Sequence, residues 1–71
     1  MDFITGTIVA FSIINNLVKL TFVDDTTQQR VTETFKRGKY SRGDFQKNSK
    51  FNLEYEWGDD GARKILSFRL G

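Results

Sequence analysis

The sequence predicts an all-β domain, a small barrel of five antiparallel strands. Three observations lead to this prediction. Apolar and polar residues alternate with a period of two along most of the chain, turn-forming residues separate the alternating segments, and no segment has the spacing of an amphipathic helix. With 71 residues the chain has the length of one domain, which we assign to residues 1–71.

The first two predicted strands, residues 3–14 and 17–23, form a hairpin. Asn15 and Asn16 between them tolerate positive φ and suit a two-residue turn. That turn sets a register that pairs Val9 with Phe22 and places Ile14 opposite Leu17, and one face of the hairpin is then wholly apolar. The residues of this face are Val9, Phe11, Ile13, Val18, Leu20 and Phe22.

The beginning of the first strand does not continue this alternation. Extending it back from Val9 would bury Thr5 and Thr7 and expose Ile4. We therefore predict a bulge or a glycine kink near Gly6 that returns Ile4 to the core. A first strand that is kinked in this way can serve both sides of a closed barrel.

The remaining predicted strands are residues 29–36, 50–57 and 63–70. Glu33 interrupts the alternation of the third strand, and we place it at the mouth of the barrel. The fifth strand is predicted to turn Leu66, Phe68 and Leu70 toward the core. An aromatic core ladder is also predicted, with Trp57 partly exposed at the end of its strand. Its members are Phe51, Tyr55, Trp57 and Phe68.

A connection of thirteen residues, 37–49, separates the third strand from the fourth. Loops of this length in small domains are usually functional or disordered. Asp44 could cap one helical turn over residues 45–47. Six Lys or Arg residues and one acid lie between residues 36 and 50, so this basic segment carries a net charge of +5 and the rest of the chain −3. The overall charge of +2 therefore conceals a polarised molecule.

Three strands, a long connection and two further strands form the order of the oligonucleotide-binding (OB) barrel, which the chain resembles over its whole length. Residues 4–9 are similar to the opening strand of the S1-like group, which includes bacterial translation initiation factor 1. Gly43 and Asp44 resemble the Gly-Asp turn of that group, and residues 64–69 resemble its closing strand. The resemblance implies an OB fold, with an SH3-like barrel as the alternative.

An OB barrel presents ligands with the outer face of its second and third strands. Hydroxyl groups and cations there suit phosphate and sugar partners. The candidate residues are Lys19, Thr21, Arg30, Thr32, Thr34 and Lys36. The alternative interpretation is ordinary exposed β surface, in which Thr is favoured for its propensity.

The basic segment supplies the second set of candidates. Its cations could follow a phosphate backbone, and its aromatic rings could stack on bases. The predicted binding residues are Arg37, Lys39, Tyr40, Arg42, Phe45 and Lys47. In the alternative interpretation the segment is a solvated loop whose rings pack on the barrel, and Phe45 is the more plausible core plug of the two rings.

The composition excludes several kinds of catalyst. The chain has no His and no Cys, so it contains neither an imidazole base nor a thiolate nucleophile or metal ligand. Adjacent Asp residues at 24–25 and 59–60 are interpreted as turn residues rather than as metal or acid–base carboxylates. We therefore expect a protein that is not an enzyme and needs no cofactor or metal.

The sequence predicts a non-catalytic module that binds single-stranded DNA or RNA. The alternative is a protein-interaction or inhibitor module that offers the same segment, or an edge strand, to an acidic partner. The longest apolar run, residues 8–14, is too short to span a bilayer, and Asp2 stands where a signal peptide would have basic residues. We expect a cytoplasmic protein.

Overall fold

The computed structural model describes residues 2–71 and confirms the five predicted strands, each to within one residue at either end. They are β1 (Asp2–Ile14), β2 (Leu17–Asp24), β3 (Arg30–Lys36), β4 (Lys50–Trp57) and β5 (Arg63–Leu70). One 3₁₀ turn, Arg42–Asp44, lies in the long connection. Within residues 2–71, no helix is long or apolar enough to cross a membrane.

The strands form one antiparallel sheet in the order β3-β2-β1-β4-β5. The central strand β1 pairs with β4 through residues 2–7 and with β2 through residues 6–14, so it belongs to both halves of the sheet. The sheet is not closed, because the described residues form no ladder between β3 and β5. This corrects the expectation of a fully closed barrel: only side chains of the edge strands and of the long connection bridge the gap.

Several side-chain contacts cross that gap, among them the stacked rings of Phe35 on β3 and Phe68 on β5, with centroids 6.4 Å apart. The Arg63 guanidinium forms an ion pair with Glu33, 2.6 Å from Nη1 to Oε2. Near the other end, the backbone N–H of Phe68 donates a hydrogen bond of 2.9 Å to the Tyr40 hydroxyl. Side-chain contacts thus complete a barrel-like shape where backbone hydrogen bonds would otherwise close it: an ion pair, a phenol hydroxyl and a pair of stacked rings.

The core lies inside the coiled sheet and contains the apolar face predicted for β2. Phe22 and Phe51 meet edge to face at its centre, with ring centroids 4.8 Å apart. Phe45, in the long connection, is only 2% exposed and covers one end. The fully buried side chains are Ile8, Val18, Leu20, Phe22, Phe51 and Leu53.

The parity break of β1 lies at Val9 and not near Gly6. Ile8 pairs with Phe22 and Ala10 pairs with Thr21, so Val9 is the extra residue of a bulge and does not face Phe22 as predicted. The predicted consequence is nevertheless confirmed, because Ile4 is buried. Side chains at even positions point inward before the bulge and those at odd positions after it.

Gly6 has a different role from the one predicted. It pairs with Asp24 on one side and with Phe51 on the other, at the point where both halves of the sheet meet. A Cβ atom there would lie 2.4 Å from the Val23 carbonyl oxygen and 3.1 Å from the Phe51 ring. Glycine is therefore required by the close approach of the backbone and not by a kink.

A second bulge changes the inward face of β5. Glu54 pairs with Ser67 and Tyr55 pairs with Ile65, which leaves Leu66 as the extra residue. The predicted core position of Leu66 is therefore wrong: it is exposed, and Ile65 packs against the core in its place. The aromatic ladder likewise ends at Tyr55, because Trp57 is 57% exposed.

The long connection does not form the predicted turn over residues 45–47. The 3₁₀ turn begins three residues earlier, after Ser41, whose backbone N–H donates a 2.8 Å hydrogen bond to the Asp44 carboxylate. Asp44 is thus the last residue of the turn and not, as predicted, the N-cap residue that precedes a turn. Phe45 follows in extended conformation, and this directs its ring into the core.

Candidate nucleic-acid interface

The outward side chains of β2 and β3 form one surface, which we name the basic face. The β2–β3 register places Lys19 opposite Thr34, Thr21 opposite Thr32, and Leu17 opposite Lys36. All six predicted strand residues belong to this surface. The basic face consists of Leu17, Lys19, Thr21, Val23, Arg30, Thr32, Thr34 and Lys36.

The basic face carries three cations and no carboxylate. Lys19, Arg30 and Lys36 are exposed, and within residues 2–71 none of them forms an ion pair. The hydroxyls of Thr21 and Thr32 bond to each other across the strands at 3.1 Å. Cations without carboxylate neighbours keep their full attraction for phosphate.

Two further cations extend the basic face past the β1–β2 turn. The backbone N–H of Arg37 donates a 2.7 Å hydrogen bond to the carbonyl of Asn16, which fixes the start of the connection beside that turn. The Arg37 Nε–H bonds to the Tyr40 carbonyl at 2.8 Å, and Lys39 is exposed in the turn between them. Arg37 and Lys39 therefore lie close to the Lys36 end of the face.

The rest of the basic segment lies elsewhere. The Arg42 guanidinium sits over the Phe11 ring, 5.7 Å from its centroid. After Lys47, the Asn48 N–H donates a hydrogen bond to the Ile8 carbonyl, and the Ile8 N–H donates one to the Ser49 carbonyl. These bonds continue the edge of β1 along which residues 2–7 pair with β4, so Lys47 lies near that edge. The structure thus does not bring the predicted binding residues Arg42 and Lys47 to the basic face.

Lys50 is also withdrawn from the cationic surface, because its ammonium pairs with Asp25 at 3.0 Å. The net charge of the basic segment is therefore divided over two sides of the molecule. Only its first part, residues 36–39, adds cations to the basic face.

Neither predicted stacking ring is free. Tyr40 is half-buried, and its ring packs edge-on against Phe35 and Phe68 at centroid distances of 6.4 and 6.1 Å. The Phe45 ring lies 4.8 Å from that of Phe68 inside the core. The prediction that Tyr40 stacks on bases is therefore not supported by its placement, whereas the alternative role of Phe45 as a core plug is confirmed.

The basic face includes a groove that the sequence analysis did not identify. It has a volume of about 250 Å³ and lies beside the β1–β2 turn, where Ile14 is 67% and Leu17 51% exposed. The hairpin register predicted from the sequence pairs these two residues on the outward side, and this pairing was the signal that could have identified the groove. The lining residues are Ser12, Ile14, Asn15, Leu17, Lys19 and Thr34.

A second polar cluster surrounds Arg63 at the gap between β3 and β5. Its guanidinium carbon lies 4.9 Å from the Tyr55 ring centroid and 5.2 Å from that of Trp57, and it pairs with Glu33. Burial lowers the pKa of Arg63, but its contacts with Tyr55 and Glu33 raise that pKa by more, so the group stays charged. This ion pair explains the acid that interrupts the alternation of β3.

The paired Asp residues act in turns, as predicted. Asp24 Oδ1 accepts a 2.8 Å hydrogen bond from Thr26 N–H, and Asp60 Oδ1 accepts one of 3.0 Å from Ala62 N–H. In the part of the chain that the structure describes, no three potential metal ligands converge.

No model of a known protein family, no curated protein and no solved structure matches this chain. The OB resemblance therefore stays a prediction from the sequence.

Proposed function

We propose that this protein is a non-catalytic module that binds single-stranded nucleic acid, DNA or RNA, through the basic face. The observation that carries the proposal is the set of exposed cations on β2 and β3, extended by Arg37 and Lys39, without a carboxylate among them. Such a surface attracts a phosphate backbone over its whole length. Threonine hydroxyls between the cations add neutral partners for phosphate and sugar oxygens.

Binding on this face is dominated by charge. Because the Phe45 ring is buried in the core and the half-buried Tyr40 ring packs against it, the usual gain from stacking bases on aromatic rings is not available from them. A strand that engages three or four cations releases as many counterions, so log K should fall with log[salt] at a slope of about −2 to −3. Such binding has little base specificity.

Fluorescence anisotropy with a labelled single strand of about 12 nucleotides tests the proposal, at salt concentrations from about 50 to 300 mM. Lys19→Gln and Lys36→Gln should each flatten the salt slope by about 0.7. The matched control is Lys64→Gln, which removes a cation on β5 that pairs with Glu56 at 3.9 Å. The control should leave the slope unchanged.

If no single strand binds at about 50 mM salt and micromolar protein, the basic face serves another partner. If Lys64→Gln flattens the salt slope as much as Lys19→Gln does, then net charge, and not this face, attracts the strand.

An acidic protein is the second candidate partner. The observation in its favour is the exposed aliphatic pair Ile14 and Leu17 beside Lys19, since exposed apolar groups rimmed by polar residues are typical of protein interfaces. The anisotropy titration separates the two candidates, because a face that serves an acidic protein partner alone gives no binding to any single strand.

A further inference from the structure

The groove beside the β1–β2 turn has the dimensions of a site for one small ring. Its volume of about 250 Å³ lies below the roughly 300–1,000 Å³ of pockets that enclose drug-sized ligands. It is bounded by Ile14 and Leu17 at the turn and by the row of Ser12, Lys19 and Thr34 across the three strands. The groove opens on the same surface as the cations of the basic face.

The lining of the groove combines three kinds of chemistry. Ile14 and Leu17 offer exposed aliphatic surface, and Lys19 offers a positive charge. Ser12, Asn15 and Thr34 carry hydroxyl and amide groups that form no hydrogen bond within residues 2–71, so they are available to a ligand. No carboxylate lines the groove, which favours an anionic occupant over a cationic one.

These three kinds of group match the parts of a pyrimidine nucleotide. A base face packs on aliphatic surface, the polar edge of the ring exchanges hydrogen bonds with hydroxyl and amide groups, and the phosphate meets the ammonium. The thymine methyl group gains most from an aliphatic wall. The exposed rings of Phe3 and Trp57 do not lie on the basic face and cannot stack on this base. Phe3 lies opposite Glu54 in the β1–β4 ladder, and Trp57 lies at the end of β4.

We infer that this groove holds one unstacked base of the bound strand and prefers thymine, so that single-stranded DNA is the favoured ligand. The inference rests on the proposed function, since only a strand held by the basic face brings a base to the groove. The groove binds a single base through aliphatic contacts, whereas the phosphates of the strand bind along the whole basic face.

The experiment compares three labelled strands of equal length and charge on the full chain: oligothymidylate, oligodeoxyuridylate, and an abasic deoxyribose-phosphate strand. Oligothymidylate should bind about two- to fourfold more tightly than oligodeoxyuridylate, since the strands differ by the methyl group that the groove partly buries. It should bind at least about fivefold more tightly than the abasic strand, which keeps every phosphate. All three strands should share one salt slope.

Leu17→Ser supplies the test on the protein side, with Leu66→Ser as its matched control. Both leucines are exposed, but Leu66 lies on the β5 bulge. Leu17→Ser should reduce oligothymidylate binding to the level of the abasic strand and leave the salt slope unchanged, whereas Leu66→Ser should change neither. A urea titration of each variant confirms that both remain folded.

Equal binding of oligothymidylate and the abasic strand, with a salt slope that still depends on Lys19, would overturn the base site and leave the proposed function standing. A Leu17→Ser variant that weakens all three strands by the same factor would also overturn it. If no strand binds at all, the proposed function and the base site both fail.

Discussion

Tyr40→Phe tests how the open side of the sheet is held. The Tyr40 hydroxyl accepts the backbone N–H of Phe68, an edge group of β5 that has no strand beside it. Phenylalanine keeps the ring in contact with Phe35 and Phe45 and removes only this acceptor. The change therefore isolates the hydrogen bond by which the long connection holds the open edge of β5.

The expected cost follows from the geometry of that contact. At 2.9 Å and partly buried, the hydrogen bond is neutral and well formed, so its loss should cost about 1 kcal/mol. For a domain of this size, that corresponds to a fall in Tm of about 4–8 °C. Tyr40→Ala also removes the half-buried ring from its three aromatic neighbours, and should cost about 2–4 kcal/mol.

Thermal and urea denaturation, followed by the fluorescence of Trp57, measure these losses. Amide exchange adds a local readout, because the Phe68 N–H should lose protection in Tyr40→Phe while the β1–β2 ladder keeps it. Phe3→Ala is the control, an aromatic truncation at a side chain that is 64% exposed, and should change stability by less than about 0.5 kcal/mol. A Tyr40→Ala variant as stable as the original chain would refute the packing of this ring against the core.

Three other substitutions have defined outcomes. Gly6→Ala places a Cβ atom 2.4 Å from the Val23 carbonyl oxygen and should cost more than about 2 kcal/mol by urea denaturation; a smaller loss would mean that the two strands separate easily. Glu33→Gln leaves the partly buried Arg63 without its anion and should cost about 1–3 kcal/mol. The pKa of Arg63 is raised, so the stability that its charge contributes is fully present at lower pH and is lost only as pH rises through that raised pKa. Denaturation midpoints between about pH 6 and 9 should therefore show no Arg63 titration. Lys47→Gln should change single-strand affinity by less than about twofold in the anisotropy assay, and a larger loss would place this lysine on the binding path.

The sequence predicts the strands well because the alternation of apolar and polar residues within each strand indicates which of its faces is buried. In β2, Val18, Leu20 and Phe22 alternate with polar residues, and their burial follows from that alternation alone. The turn at Asn15 is equally local, since its φ of 57° depends on a residue type that tolerates it. The outward position of Lys19 and Thr34 then follows from strand register.

The two bulges could not be predicted in place. Val9 and Leu66 are apolar residues inside apolar stretches, so composition does not distinguish them from core positions. A bulge arises where the neighbouring strand must curve, and that requirement depends on residues far away in the chain. The groove between Ile14 and Leu17 had a local signal in the hairpin register, but its opening beside Thr34 depends on the pairing of β3.

The sequence by itself determined the all-β class, the five strands, the first hairpin and the outward cations of β2 and β3, because alternation and turn chemistry act over a few residues. Only the tertiary structure decided which cations share a face, and it separated Lys36 and Arg37 from Lys47 by bonding the end of the connection to Ile8. It likewise packed the half-buried Tyr40 ring against the core, where the edge of β5 leaves apolar surface and an unpaired N–H uncovered.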